Sequence, residues 1–314
     1  MKKDTLNRRN RFAGRQPTGK RIELGERDFL YFAALERHGP LPATYLYEFS
    51  KSAARNHKGQ QQRLTDLFNE DNTPHRGPYL DRPDPQFASV NARYQSIAYE
   101  HTPLAATALR DRDIGRQAAM PPSGPYLHRF MTACLTASIE LAVRKAGYTF
   151  ITSTDILNHP KCPEKTRESR NPLAIPLRDT AVIPDQLFGI DYGGKFRFFA
   201  LESDRKTETI VSRNRNGKAF GTRLEAYAEI IESEAHRRIW GIPTLTVLTV
   251  TTSLAHMHTM ISHLEDSVSA KTAARFLFKT KPDFGKYWTV PPVMTDIFED
   301  PWERTASPLS IGTP

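Results

Sequence analysis

The sequence predicts an α/β protein of two folded domains, and three observations carry that expectation. Its 314 residues exceed what one small module holds, at roughly 100 to 200 residues per domain. Apolar residues make up 39% and charged residues 25%, the composition of a globular chain and not of a disordered one. Helical and alternating apolar patterns then succeed one another: helices and a hairpin in the first third, strands interleaved with helices in the rest. No run reaches the roughly 18 apolar residues that a membrane span requires, and no apolar signal core follows the N-terminal charges, so a cytoplasmic protein without membrane contact is expected. Cys134 and Cys162 are too few for a disulfide framework or a thiolate zinc site, which agrees with a reducing compartment.

The chain opens on residues 1–20, where Lys2, Lys3, Arg8, Arg9, Arg11, Arg15 and Lys20 stand against Asp4 alone. Six of the nine net positive charges therefore sit in this arm, which has few apolar residues and is expected to be disordered when free. Such an arm suits salt-dependent contact with phosphates, with Arg8 and Arg9 as candidates.

Residues 21–112 read as one module. Phe29, Leu30, Phe32, Ala33 and Leu35 form a helical stripe that ends at Gly39-Pro40, and Leu46, Tyr47 and Phe49 mark a short second helix. A third helical pattern spans Lys51 to Glu70, with Leu64, Leu67 and Phe68 on its apolar face and polar residues crowding its first half. Two short strands, Pro78 to Leu80 and Tyr94 to Tyr99, precede a last helix from Pro103 to Arg112. Helix, helix, basic helix, hairpin is the order of a winged helix-turn-helix. There the third helix enters the major groove of double-stranded DNA, and Arg55, Lys58, Gln61 and Arg63 are the candidate readers. The plainer alternative is a partner-docking module whose basic helix is merely solvated.

A Pro-, Gly- and Ser-rich stretch marks residues 113–125 as a linker. The second domain, residues 126–290, opens with a long amphipathic helix over Tyr126 to Ala146, stopped by Gly147, and a short strand over Tyr148 to Ile151. His159 to Arg178 reads as a loop. Strands follow over Ala181 to Asp191 and Lys195 to Asp204, then a helix from Arg223 to Ile239, a strand Thr244 to Thr251, a helix Ala255 to Val268 and a strand Arg275 to Thr280. This alternation makes a mixed α/β core. Residues 291–314 lack periodicity and are expected to be a loosely packed tail.

The residues richest in chemistry flank a turn. Gly193-Gly194 is a two-residue hairpin signal with Tyr192 and Lys195 as its flanking pair. Opposed residue numbers in such a hairpin share one sum, and 185 with 202 gives the sum of 192 with 195, so Asp185 lies across from Glu202. Alternation puts Asp204 on the face of Glu202 and turns Ser203 away. Opposed carboxylates repel unless a cation or a proton lies between them, and an oxygen cluster of this kind suits Mg²⁺ or Mn²⁺, which can polarise a phosphodiester and activate water. The alternative is an acidic edge paired with nearby Arg197, Arg205 and Lys206.

With Pro184-Asp185, a Gly-containing hairpin, Phe198 to Arg205 ending in Glu202-Ser203-Asp204-Arg205, and Thr207-Glu208 close behind, the chain resembles the plasmid replication-relaxation proteins over roughly residues 21–280. Those proteins join a winged helix to a domain similar to the PD-(D/E)xK restriction-endonuclease superfamily. The resemblance implies that Asp185 and Glu202 hold a metal, with Asp204 as a possible third ligand, and marks His128 as a position the family uses. One departure is plain: Asp204 stands where the superfamily has its lysine. Lys206 is the candidate replacement, with Lys218 or Arg223 reaching in from the following segment, while Glu140 or Asp155 could add a carboxylate.

His256-Met257-His258 matches the metal-binding pair of rolling-circle nucleases only weakly, because it falls on a helix, where residues two apart do not share a face. Tyr227 lies on an apolar stripe and reads as core. No phosphate loop of the GxxxxGK[ST] type is present. The expected function is that of a DNA-binding protein of a mobile genetic element, acting in plasmid replication, relaxation or transfer. It would carry a metal-dependent nicking activity or, alternatively, a degenerate nuclease core used only for binding. Double-stranded DNA is the expected partner, with other replication or transfer proteins and self-association as further possibilities.

Overall fold

The computed structural model describes residues 14–53, 56–87, 95–114, 124–178, 181–205, 220–284 and 289–314. The chain is of the mixed α/β class. It divides into two compact units, the first running to Arg116 and including Tyr287–Val293, the second comprising Gln117–Lys286 and Met294–Pro314.

In the first unit, α1 (Glu26–His38) starts where the Asp28 carboxylate accepts the Gly25 N–H at 2.9 Å and stops at Gly39, whose φ of 97° only glycine adopts readily. After β1 (Leu41–Pro42) come α2 (Ala43–Ser50) and α3 (His57–Asn69), the latter capped by Asn56, whose side chain accepts the Gly59 N–H at 2.7 Å. Strands β2 (Leu80–Asp81) and β3 (Ala98–His101) lead into α4 (Pro103–Arg110). The three strands form an antiparallel sheet in the order β1-β3-β2, with Leu41 across from Tyr99 and Leu80 across from His101. Phe32, Leu35, Leu46, Leu64 and Leu67 fill the core beneath.

The expectation of a free arm over residues 1–20 is corrected at its C-terminal end. Arg15 donates to the Leu80 carbonyl at 2.9 Å and stacks its guanidinium 4.5 Å from the Phe68 ring centroid. The backbone N–H groups of Thr18, Gly19 and Lys20 converge on the buried Glu70 carboxylate at 3.0 to 3.1 Å. A carboxylate held by several N–H donors is a strong anchor, and it binds this stretch to the end of α3. Arg8 and Arg9 lie outside the described residues.

The second unit begins with α5 (Tyr126–Lys145), β4 (Thr149–Ile151), α6 (Ser153–Asn158) and α7 (Glu164–Arg167). The expected loop over 159–178 thus holds a helical turn and the short β5 (Ile175–Pro176), which pairs with β6 (Ala181–Val182). There follow β7 (Gln186–Asp191), β8 (Phe196–Asp204), α8 (Phe220–Glu232), α9 (Ala235–Trp240), β9 (Thr246–Thr251), α10 (Leu254–Ser267), α11 (Ala270–Ala273), β10 (Phe276–Thr280) and α12 (Asp296–Glu299). Five strands form one sheet in the order β10-β9-β8-β7-β4, antiparallel from β4 to β8 and parallel from β8 to β10. Leu187, Ala200, Val247 and Phe276 face Leu224, Tyr227, Met257 and Met260 of α8 and α10, while α5 packs against β4, β7 and β8.

Two further expectations change. The helix expected over 223–239 is two helices, because Glu234 takes the left-handed conformation at φ 54° and turns the chain between them. Residues 294–314 are no loose tail: Trp302 and Ile311 are fully buried, Phe278 bridges Glu303, and the Tyr192 hydroxyl donates to the Ile311 carbonyl. Burial of that much apolar surface fixes a segment that shows no periodicity of its own.

Candidate functional site

The β7–β8 hairpin sets the site. Gly193 and Gly194 take φ of 83° and 97°, closing a turn between Asp191 and Phe196, and the register pairs Gln186 with Leu201. Asp185, one residue ahead of β7, therefore faces Glu202, as the turn predicted. Glu202 is 2% exposed and Asp204 4%, whereas the Asp185 side chain keeps partial access to solvent.

Three elements close on this pair. From α8, an Arg223 NH₂ group lies 3.0 Å from Oε1 and 2.7 Å from Oε2 of Glu202, 3.8 Å from Asp185 Oδ1, and donates to the Ile183 carbonyl at 2.8 Å. One helical turn on, the Tyr227 hydroxyl donates to Glu202 Oε1. From α5, His128 Nε2 lies 3.1 Å from Asp185 Oδ1, and from β8 the Ser203 N–H donates to Asp185 Oδ2 at 2.8 Å. Burial, reinforced by the Asp185 charge, pushes the Glu202 carboxyl up to about 8 against the pull of Arg223 and Tyr227. The same burial, with Glu202 beside it, drives the Tyr227 hydroxyl well above its ordinary range. The hydrogen bond to Asp185 raises His128 in spite of its own desolvation. Burial opposes the charge on Arg223, but Glu202, Tyr227 and Asp185 together hold it above the ordinary arginine value.

Asp204 has partners of its own. Its Oδ2 accepts from Thr251 Oγ1 at 2.9 Å and lies 3.0 Å from His256 Nε2. His258 is exposed on α10 and does not join His256, as helical spacing requires. Ser203 turns to α5 and accepts from Thr132 Oγ1 at 2.9 Å. Glu140 is buried against Arg144, and Asp155 caps α6 by accepting the Thr152 N–H at 2.8 Å, so neither adds a carboxylate to the pair. Lys206 and Lys218 lie outside the described residues. Of the residues around the pair, Tyr227 carries a role that its apolar stripe hid; its spacing of four from Arg223 is the signal that could have revealed it.

For Mg²⁺ or Mn²⁺ the donor set is the test. A divalent cation of this class needs several oxygens free to point at it. Each oxygen of Asp185 and Glu202 already meets a donor from Arg223, Tyr227, His128 or the Ser203 backbone, and among the described residues no group of three or more His, Cys, Asp or Glu side chains is arranged to hold a metal. The described residues therefore do not fit a resident divalent cation.

The candidate nucleic-acid face lies on α3. Lys58 and Gln61 are exposed on it, with His57 and Gln62 beside them, while Arg55 lies outside the described residues. Arg63, expected among the readers, turns inward: its Nε donates to Asp28 Oδ1 at 2.9 Å, its side chain is 15% exposed, and the carboxylate it meets is almost wholly buried. An arginine so paired holds α3 to α1 and leaves no fork for a base. Arg82, which follows β2, carries no sequence pattern that marks it for this face. Its guanidinium lies 4.1 Å from the Phe68 ring centroid and 5.2 Å from that of Tyr99, and it donates to Thr65 Oγ1 at 3.4 Å. Thr65 follows Lys58 and Gln61 at helical spacing, so Arg82 stands at the end of their stripe.

Among the described residues no helix is long and apolar enough to cross a membrane. Comparison with curated proteins and with solved structures gives no match. The family model described as replication-relaxation matches residues 32–245, from α1 to the residue before β9, which includes the α3 face and the Asp185–Glu202 pair with its Arg223. On that match, which spans roughly two thirds of the sequence and bears out the resemblance carried by Pro184-Asp185 and Glu202 to Arg205, the chain belongs to the replication-relaxation family.

Proposed function

We propose that the protein binds duplex DNA in the replication and relaxation of a plasmid or other mobile element. In this reading the first unit reads DNA as a winged helix, and the second is a nuclease-derived frame that binds without cutting. The observation that carries it is the exposed pair Lys58 and Gln61 on α3, continued by the half-buried Thr65 and Arg82. Gln61 suits an adenine edge, and the two cations suit guanine or phosphate. The order of three helices and a β2–β3 pair supports the winged helix, and the order α5, β4, β7, β8, α8, β9 supports kinship with the PD-(D/E)xK core. Basic residues of the N-terminal arm, Arg8 and Arg9 among them, would add sequence-independent affinity. Other replication or transfer proteins are natural companions for such a frame in the cytoplasm.

Nicking dependent on Mg²⁺ or Mn²⁺ is the second reading, favoured by the register that sets Asp185 across from Glu202. Incubating the pure protein with supercoiled plasmid and either ion separates the two. Retarded plasmid that stays supercoiled is expected. Nicking that disappears on Asp185→Asn would replace the binding role with an enzymatic one.

A further inference from the structure

Two carboxyl groups on paired strands need a cation or a proton between them, because like charges set opposite one another repel. In this chain a counter-ion is covalently attached. The guanidinium of Arg223 reaches both oxygens of Glu202, comes within 3.8 Å of Asp185 and also grips the Ile183 carbonyl that leads into β7. Tyr227, one turn along α8, supplies a second donor to Glu202, and His128 and the Ser203 N–H complete the shell of Asp185. The cluster thereby ties α5, the approach to β7, the end of β8 and α8 together, the cross-link that a shared metal ion would otherwise provide.

We propose that Arg223 is the built-in cation of the Asp185–Glu202 pair and closes it to divalent ions, so that removing this one side chain opens a metal site that the native protein lacks. An ion coordinated by both carboxylates would have to displace the NH₂ group from between them and then sit within a few ångströms of its charge. At such separations like charges repel strongly even at the effective dielectric of a protein surface. Arg223 is partly open to solvent, so access by itself does not keep an ion out. The inference concerns the second unit alone and stands apart from duplex binding through α3.

Mn²⁺ binding to the full chain, followed by the loss of the free-ion electron paramagnetic resonance signal, tests it in four proteins: wild type, Asp185→Asn, Arg223→Ala and Arg223→Ala with Glu202→Gln. The wild type is expected to take up no more Mn²⁺ than Asp185→Asn. Arg223→Ala should bind a single ion at least about tenfold more tightly, a gain worth about 1.4 kcal/mol, and Glu202→Gln should abolish that gain. Wild-type binding that Asp185→Asn removes would overturn the proposal, as would a folded Arg223→Ala that binds no better than wild type. Should Arg223→Ala be unfolded without metal, recovery of its circular dichroism on adding Mn²⁺ supports the proposal and failure to recover counts against it. The wild-type arm decides in either case. A failed Mn²⁺ prediction would leave DNA retardation untouched, and lost retardation would leave the Mn²⁺ result untouched, so the two readings fail separately.

Discussion

Lys58 and Arg63 stand on one helix five residues apart and have opposite fates. Lys58 faces solvent, while Arg63 is bound to Asp28, itself 2% exposed, and the side-chain hydrogen bond raises its pKa above the ordinary arginine value in spite of burial. Nothing local distinguishes them, because the partner that claims Arg63 comes from α1, 35 residues earlier in the chain. Arg63→Ala should therefore cost about 3–5 kcal/mol in urea unfolding by stranding a buried carboxylate, whereas Lys58→Ala should stay within about 0.5 kcal/mol of wild type. Equal costs would refute the assignment. Glu202 sets a second expectation. Its carboxyl titrates near 8 in the folded state against an ordinary 4.5, so between these values the folded chain keeps a proton that the unfolded chain has released. Stability from this group then falls as pH rises from about 5 to 8, and Glu202→Gln should remove its share of that decline. A wild-type urea midpoint that does not move across this range would contradict the burial argument.

At the scale of elements, what was legible followed from local rules. The glycine pair at 193 and 194 fixed a turn, the turn fixed the register, and the register put Asp185 opposite Glu202. The strands of the five-stranded sheet and most of the longer helices announced themselves by period, whereas β1 and β5 did not. Three further features did not. Glu234 breaks the helical run without a glycine or proline to mark it, in a left-handed conformation that non-glycine residues seldom take. Residues 15–20 read as a free arm because their anchors, Glu70 and the Phe68 ring, lie some 50 residues away. The C-terminal segment carries no pattern since each apolar residue plugs a different place, as Trp302 does beside Lys279 of β10. Trp302→Ala should accordingly lower stability by about 3–5 kcal/mol, read as a fall in the urea midpoint. A variant as stable as wild type would return the segment to the status of a tail.

For the molecule as a whole, the net charge of +9 reports a preference for polyanions but not where it is exercised. The structure narrows the choice. Arg15, Lys20 and Arg63 are engaged within the first unit, and Arg223 is engaged within the second, whereas Lys58 and Gln61 remain exposed in a row that ends at the ring-braced Arg82. Family membership joins that face and the arginine-filled carboxylate pair in one matched region. Fluorescence anisotropy of a labelled duplex titrated with the full chain over a range of salt concentrations tests the α3 face most directly. Wild type should be compared with a Lys58→Ala, Gln61→Ala, Arg82→Ala triple variant. The triple variant should bind at least about tenfold more weakly, with a salt slope smaller by about 1 to 2. A triple variant that folds like the wild type and matches it in both affinity and slope would show that DNA, if bound at all, is bound somewhere else.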